Sequence, residues 1–173
     1  MMGQKITLEE INGLRKDAFV KALGGLFEGR PWIVEEAWSK GPFASVEALH
    51  QVLCSIMYEA SSGRQVALLS AHPNLVGRAA LAGTLSTAST SEQAAAGLDR
   101  LTPAEIASFQ HYNQEYRTRF GFPFVICARE NKKESILAGF ETRLANTYEQ
   151  EISLALAEVA KICALRLSDL IEE

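Results

Sequence analysis

The sequence predicts an all-α protein: a single-domain bundle of about eight helices with one short extended segment near residues 121–128. Three observations lead there. Helix-start signals recur from end to end, apolar residues repeat at helical spacing between them, and only "GFPFVICARE" departs from that period. The chain has 173 residues, so one domain over 1–173 is the simplest organisation, and it is large enough to bury a sizeable core.

The elements follow in order. Thr7 and Glu10 have capping-box spacing and lead into "INGLRKDAFVKAL". Gly24-Gly25 interrupts this run, and Pro31 suits the first position of a short helix through Trp38. Gly41-Pro42 breaks the pattern again. Ser45 can then cap "VEALHQVLCSIMYEA", where Val46, Leu49, Leu53, Ile56 and Met57 share a face. The helical run after Gly63 stops at His72-Pro73, and residues 74–88, rich in Gly, Ala, Ser and Thr, read as loop. Ser89 and Glu92 repeat the capping-box spacing before "QAAAGLDRL". Thr102-Pro103-Ala104-Glu105 combines an N-cap, a first-turn proline and an N3 acid ahead of "IASFQHYNQEYRTRF". Gly121 and Pro123 exclude a helix interior, and Phe124, Val125 and Ile126 favour extended backbone. Helical patterning resumes at Lys132. Thr147 with Gln150 opens a long amphipathic helix carrying Ile152, Leu156, Val159, Cys163 and Leu170 along one side.

Composition narrows the partners. A hydrophobic share of 47% with 22% charge is ordinary for a globular protein. The net charge of −4, with both signs interspersed, leaves no basic footprint for nucleic acid. No apolar run approaches the ~18 residues of a membrane span, and the N-terminus lacks a secretory apolar region. Cys54, Cys127 and Cys163 are odd in number and far apart, which argues against a disulfide framework or a cysteine metal site. The expectation is a cytoplasmic protein with a small-molecule or protein partner, and with neither nucleic acid, membrane nor metal.

No phosphate loop, nucleophile elbow or HExxH motif is present, so side chains and backbone dipoles must supply any chemistry. His50 and His111 read as helix-face residues. His72 differs, because Pro73 disfavours the α region before it and should aim the ring away from the helix face. A loop histidine of near-neutral pKa suits acid–base work. "STSEQ" over 89–93 reads either as a plain helix cap or as an anion site at a helix N-terminus. "FGFPFVIC" reads as a core connector, or as a backbone platform whose amides and carbonyls pair with a flat heterocycle packed on Phe124. Arg143 is by default a surface charge, or else a bidentate carboxylate ligand.

Taken together, "AHPNL", "TSEQAAAGLDRLT", "FQHYNQEYRTRFGFPFVICARE" and "RLANTYEQEISLALAEVAKICALRLSDLI" resemble the decarboxylases of 2-oxo-4-hydroxy-4-carboxy-5-ureidoimidazoline (OHCU). The resemblance covers nearly the whole chain, most densely residues 68–172. It implies an all-helical carboxy-lyase that performs the last step from urate to (S)-allantoin as a homodimer, with no metal or organic cofactor. By motif, His72 is the catalytic acid/base. Pro73, the segment Ser89, Thr90, Ser91 and Gln93, and the backbone of Phe124, Val125, Ile126, Cys127 and Ala128 line the substrate. Arg143 is a further contact to its carboxylate or ureido group. Glu92 assists His72 by polarising the substrate hydroxyl or orienting the imidazole. Two departures stand out: Asn74 where the family commonly has Asp, and Arg119 where Lys is common. Two other readings share the fold: a non-catalytic helical module for a small anion or a protein, and a decarboxylase or hydrolase of a related heterocycle.

Overall fold

The computed structural model describes residues 4–76 and 87–173. Among them are nine α-helices: α1 Leu8–Asn12, α2 Lys16–Leu23, α3 Trp32–Trp38, α4 Val46–Glu59, α5 Ser62–Ser70, α6 Thr87–Ala95, α7 Pro103–Phe120, α8 Lys133–Leu144 and α9 Tyr148–Leu170. Single 3₁₀ turns occupy Gly24–Leu26 and Ala128–Glu130. Two short strands, β1 Ile6–Thr7 and β2 Ile171–Glu172, pair in parallel with Ile6 opposite Ile171. The chain is all-α, and after a bend at Gly121 and Phe122 residues 123–127 form its extended segment. Of the loop expected over 74–88, residues 77–86 lie outside the described residues, and Thr87 and Ala88 are helical.

Local chemistry sets most boundaries. Thr7 and Glu10 form a reciprocal capping box on α1, and Thr102 and Glu105 form one on α7. Thr147 and Gln150 exchange the same pair of bonds at the start of α9, and Ser45 accepts from the Ala48 amide at 3.0 Å to cap α4. α7 ends where Gly121 adopts φ 82°, a left-handed cap that L side chains resist. The run "INGLRKDAFVKAL", expected as one helix, is two. Gly13 closes α1, and the Asn12 amide exchanges two bonds with the Phe43 backbone, which turns the chain before α2 begins.

The described chain divides into two compact units. One comprises residues up to Gln65 together with Ala160–Glu173, and the other is Val66–Val159. The first unit buries Ile11, Phe19, Leu23, Ile33, Leu49, Leu53, Met57 and Cys163. Arg166, nearly buried within it, donates to the Gly25 carbonyl and to Glu28. The second unit holds an aromatic core of Phe109, Tyr116, Phe120, Phe122, Phe124 and Phe140, with Phe124 stacked on Phe140 at 3.9 Å. Every residue expected at the site lies in this second unit.

At the head of α7, Lys133 lies 2.8 Å from the Glu105 carboxylate. That contact and the Thr102 amide hold this carboxyl below its ordinary value. Thr102→Ala removes half of the cap and is expected to lower stability by about 1 kcal/mol. Urea denaturation should show a lower midpoint with an unchanged slope.

Candidate active site

His72 sits two residues beyond the end of α5. The His72 amide donates to Leu69 at 3.1 Å, and Pro73 prevents further helix. The ring does not turn away from the helix, as the His-Pro pair led us to expect. It folds back, with Nδ1 2.9 Å from the carbonyl oxygen of Leu68. The last carbonyls of a helix lack the usual i+4 partner; that of Leu68 accepts from the Ala71 amide at 3.3 Å and from the imidazole N–H. A carbonyl only accepts, so Nδ1 carries a hydrogen in both protonation states. Nε2 is therefore the atom that gains or loses the proton. The residue is only 9% exposed.

The loop after it is held by two side-chain amides. Asn113 on α7 donates from Nδ2 to the Leu75 carbonyl at 2.7 Å. The Val76 amide donates to Gln93 Oε1 on α6 at 3.1 Å. Val76 has φ 53°, an unfavourable backbone for a β-branched residue, and its buried side chain and the Gln93 bond hold it there.

The "STSEQ" segment is displaced from its expected role. Ser89 is the third residue of α6 rather than its cap, and it is buried. A serine three before a glutamate fits a helix interior as well as a helix start, so the spacing alone placed the boundary three residues late. Nor does α6 extend through "QAAAGLDRL". Gly97 at φ 82° ends it, with the Gly97 amide donating to Ala94 and the Leu98 amide to Gln93. Within α6, Ser89 and Gln93 are buried, Glu92 is half-buried, and Thr90 and Ser91 are exposed. The C-terminal end of α6 lies beside the Ala128–Glu130 turn, where Lys132 Nζ donates to Ala95 O at 3.0 Å. Burial raises the Cys127 thiol above its ordinary pKa, and the charges of Glu130, Glu158 and Glu92 add to this. Cys127 thus stays protonated and is no nucleophile near neutral pH. Gln93 thus ties the His72 loop to α6, and α6 in turn lies beside the Ala128–Glu130 turn.

The 124–128 segment is anchored rather than loosely extended. The Cys127 amide donates to Glu158 Oε1 at 3.1 Å, and Asn131 Nδ2 donates to the Cys127 carbonyl. Phe124 is 1% exposed, and its ring lies between Phe140 at 3.9 Å and the Arg143 guanidinium at 4.3 Å. Two groups that close cannot share one ring face, so both faces are covered. A heterocycle therefore cannot stack on Phe124 as the sequence led us to expect, and only its backbone can serve.

Arg143 is not a surface charge. It is 7% exposed, with Nε 2.8 Å from Glu151 Oε1 and Nη1 2.6 Å from the Val125 carbonyl. Glu151 is completely buried and also accepts from Tyr116 Oη at 2.6 Å and Asn146 Nδ2 at 2.8 Å. Burial, followed by the bond to Glu151, drives the Tyr116 phenol far above its ordinary pKa, so it stays neutral and donates to the carboxylate. Sequence reasoning missed Glu151, Tyr116 and Asn113. All three sit in helical stretches where nothing local marks them as inward-facing. Three buried side-chain atoms lack a hydrogen-bond partner among the described residues: Asn74 Oδ1, Asn113 Oδ1 and Arg143 Nη2, all in this unit.

The other histidines behave as helix-face residues. His50 Nε2 lies 2.8 Å from the Ala160 carbonyl, and the exposed His111 lies 3.4 Å from Glu115. Among the described residues, no three His, Cys, Asp or Glu side chains converge as a metal site.

Glu151→Ala strands the Arg143 charge and should cost about 3–5 kcal/mol. The double variant Glu151→Leu with Arg143→Met removes the stranded charge and should recover part of that loss in urea denaturation. Equal stability of the single and double variants would count against a buried ion pair.

A family model for OHCU decarboxylase matches residues 12–168. The 2-oxo-4-hydroxy-4-carboxy-5-ureidoimidazoline decarboxylase of Halalkalicoccus jeotgali is 39% identical over 166 residues, covering 96% of this chain and 92% of that protein. The same-named protein of Haloferax volcanii is 39% identical over 165 residues, covering 95% and 96%. A crystal structure of (S)-allantoin synthase shares the fold with a TM-score of 0.73 at 27% identity, covering 95% of this chain and 54% of that one. The chain belongs to the OHCU decarboxylase family.

Proposed function

We propose that this chain converts OHCU to (S)-allantoin and carbon dioxide, the last step from urate to allantoin. The family relation over residues 12–168 is the observation that carries the reading. It treats 1–173 as one working domain, since the match spans both compact units.

The substrate carries its own electron sink. C4 bears the hydroxyl and the carboxylate and adjoins the C5=N bond of the ring. When the C4–carboxylate bond breaks, its electron pair forms C4=C5 and the C=N pair moves to the ring nitrogen, which takes up a proton. Carbon dioxide leaves and an enol remains. The enol then becomes the ketone as its hydroxyl proton departs and C5 is protonated on one face. The reaction consumes one proton overall, and pyridoxal-like or thiamine-like chemistry is not needed.

His72 carries the proton traffic through Nε2, which the Leu68 carbonyl leaves as the titrating atom. Glu92 polarises the hydroxyl. Pro73, Ser89, Thr90, Ser91, Gln93 and the backbone of Phe124, Val125, Ile126, Cys127 and Ala128 surround the ring and its ureido arm. Two unpartnered buried acceptors, on Asn74 and Asn113, complement the N–H-rich character of a ureide. Asn74 serves here as a neutral acceptor where Asp is common in the family. Orientation and acid–base catalysis together supply effects of the right size, acid–base alone being worth about 10²–10⁴-fold.

The chain works as a homodimer in a reducing, cytoplasmic compartment. Tyr148 and Leu154 stay exposed on α9, and all three cysteines are buried free thiols, with burial pushing Cys54 up to about 11. Sedimentation should give twice the 18.9 kDa chain mass, and a monomer there would remove the dimer from the reading.

The test generates OHCU in situ and follows the circular dichroism of the product. The wild type should give one allantoin enantiomer rapidly. His72→Ala should lose about 10²–10⁴-fold in rate. Wild-type protein that leaves only slow, racemic product would instead favour a non-catalytic binding module. A His72→Ala variant with full rate and pure (S)-product would remove His72 from the chemistry.

A further inference from the structure

We propose that Glu151, Arg143 and Tyr116 are positioning residues that set the place of the Phe124–Ala128 backbone, and that Arg143 acts through this backbone rather than by touching substrate. The inference rests on the reading above, in which that backbone holds the substrate ring.

The geometry is a relay with a fixed origin. Glu151 has no exposed surface and draws donors from α7 (Tyr116), α8 (Arg143) and the α8–α9 connection (Asn146). Its Oε1 fixes Arg143 at Nε, which orients the guanidinium plane because a guanidinium is rigid. With that plane set, Nη1 meets the Val125 carbonyl at 2.6 Å while the cation covers one face of Phe124. Tyr116 both bonds the carboxylate and meets Phe124 edge-on at 5.3 Å. A main-chain carbonyl and the neighbouring aromatic ring are thus located by one buried anion. Nothing comparable comes from strand pairing, since residues 121–127 belong to no sheet.

Charge argues for the same role. Arg143 Nη2 has no partner among the described residues, but the cation is already neutralised by Glu151, so a substrate carboxylate placed there would bring a second anion into a buried pair. Strong pairing would also stabilise the carboxylate before carbon dioxide leaves, which lowers the ground state and not the transition state.

The experiment measures KM, kcat and the enantiomeric purity of allantoin for Glu151→Gln, Tyr116→Phe, Arg143→Lys and Thr102→Ala, at enzyme concentrations that outrun spontaneous decay of OHCU. Glu151→Gln keeps the shape but removes the charge. Tyr116→Phe removes only one hydrogen bond and decides the matter alone if Glu151→Gln does not fold. Thr102→Ala, at the head of α7, serves as the stability control. A displaced platform should raise KM about tenfold or more in Glu151→Gln, since misplacement by an ångström can cost a hundredfold. Tyr116→Phe should show a smaller rise, both should lower enantiomeric purity, and Thr102→Ala should leave KM and purity unchanged. Lower activity at unchanged KM and purity in both variants would mean a merely structural network and overturn the inference. So would a KM rise in Arg143→Lys alone, which would make Arg143 a direct substrate ligand. No turnover by the wild type would overturn the functional reading and this inference with it.

Discussion

The Glu151 carboxylate has no exposed surface and accepts from Arg143, Tyr116 and Asn146. Removing a carboxylate from water costs several kcal/mol, so a buried one persists only where a cation and further donors replace its hydration. Here three elements supply them, and each is thereby fixed to the same point. An apolar residue in place of Glu151 could fill the volume. It could not hold a guanidinium in the one orientation that meets the Val125 carbonyl. The ion pair therefore decides where an irregular segment runs, a task that secondary structure leaves undone.

The loop beyond His72 follows the same logic with neutral groups. Its backbone belongs to no helix or sheet, and side-chain amides from α6 and α7 take the place of a ladder. They also hold Val76 at positive φ, a conformation that costs on the order of 1–3 kcal/mol. Strain of this kind persists only where the surroundings over-determine it. A histidine on such a loop gains a fixed reach as well as a fixed tautomer, and acid–base chemistry depends on both. The candidate site thus draws on two irregular backbone segments, each located by a polar side chain from elsewhere in the unit.

The helical class and most helix starts were legible in the sequence because their causes are local. Thr7, Ser45, Thr102 and Thr147 each act within one turn, and Gly121 at the end of α7 acts on its own backbone. Reading failed where a local pattern had more than one structural outcome. The S-x-x-E spacing at Ser89 served a helix interior. "INGLRKDAFVKAL" kept helical periodicity through a break set by Asn12 and distant Phe43. Arg143 looked like a surface charge because only its partners show otherwise. Phe124 looked like a stacking platform because Phe140 and Arg143, which cover its faces, come from another helix.

What the sequence alone determined is the inventory: an all-helical chain, a histidine stopped by proline, an aromatic segment that cannot be helical, and motifs that together mark a family. What only the tertiary structure decided is how these meet. Gln93 bonds 17 residues back to Val76, Asn113 reaches 38 residues back to Leu75, and Tyr116 reaches 35 residues forward to Glu151. The physical reason is one of range. Capping, glycine conformation and proline sterics act within a turn and leave their mark on neighbouring letters. A buried charge or amide is satisfied by whatever the folded chain brings to it, and the residues beside it in sequence carry no trace of that partner.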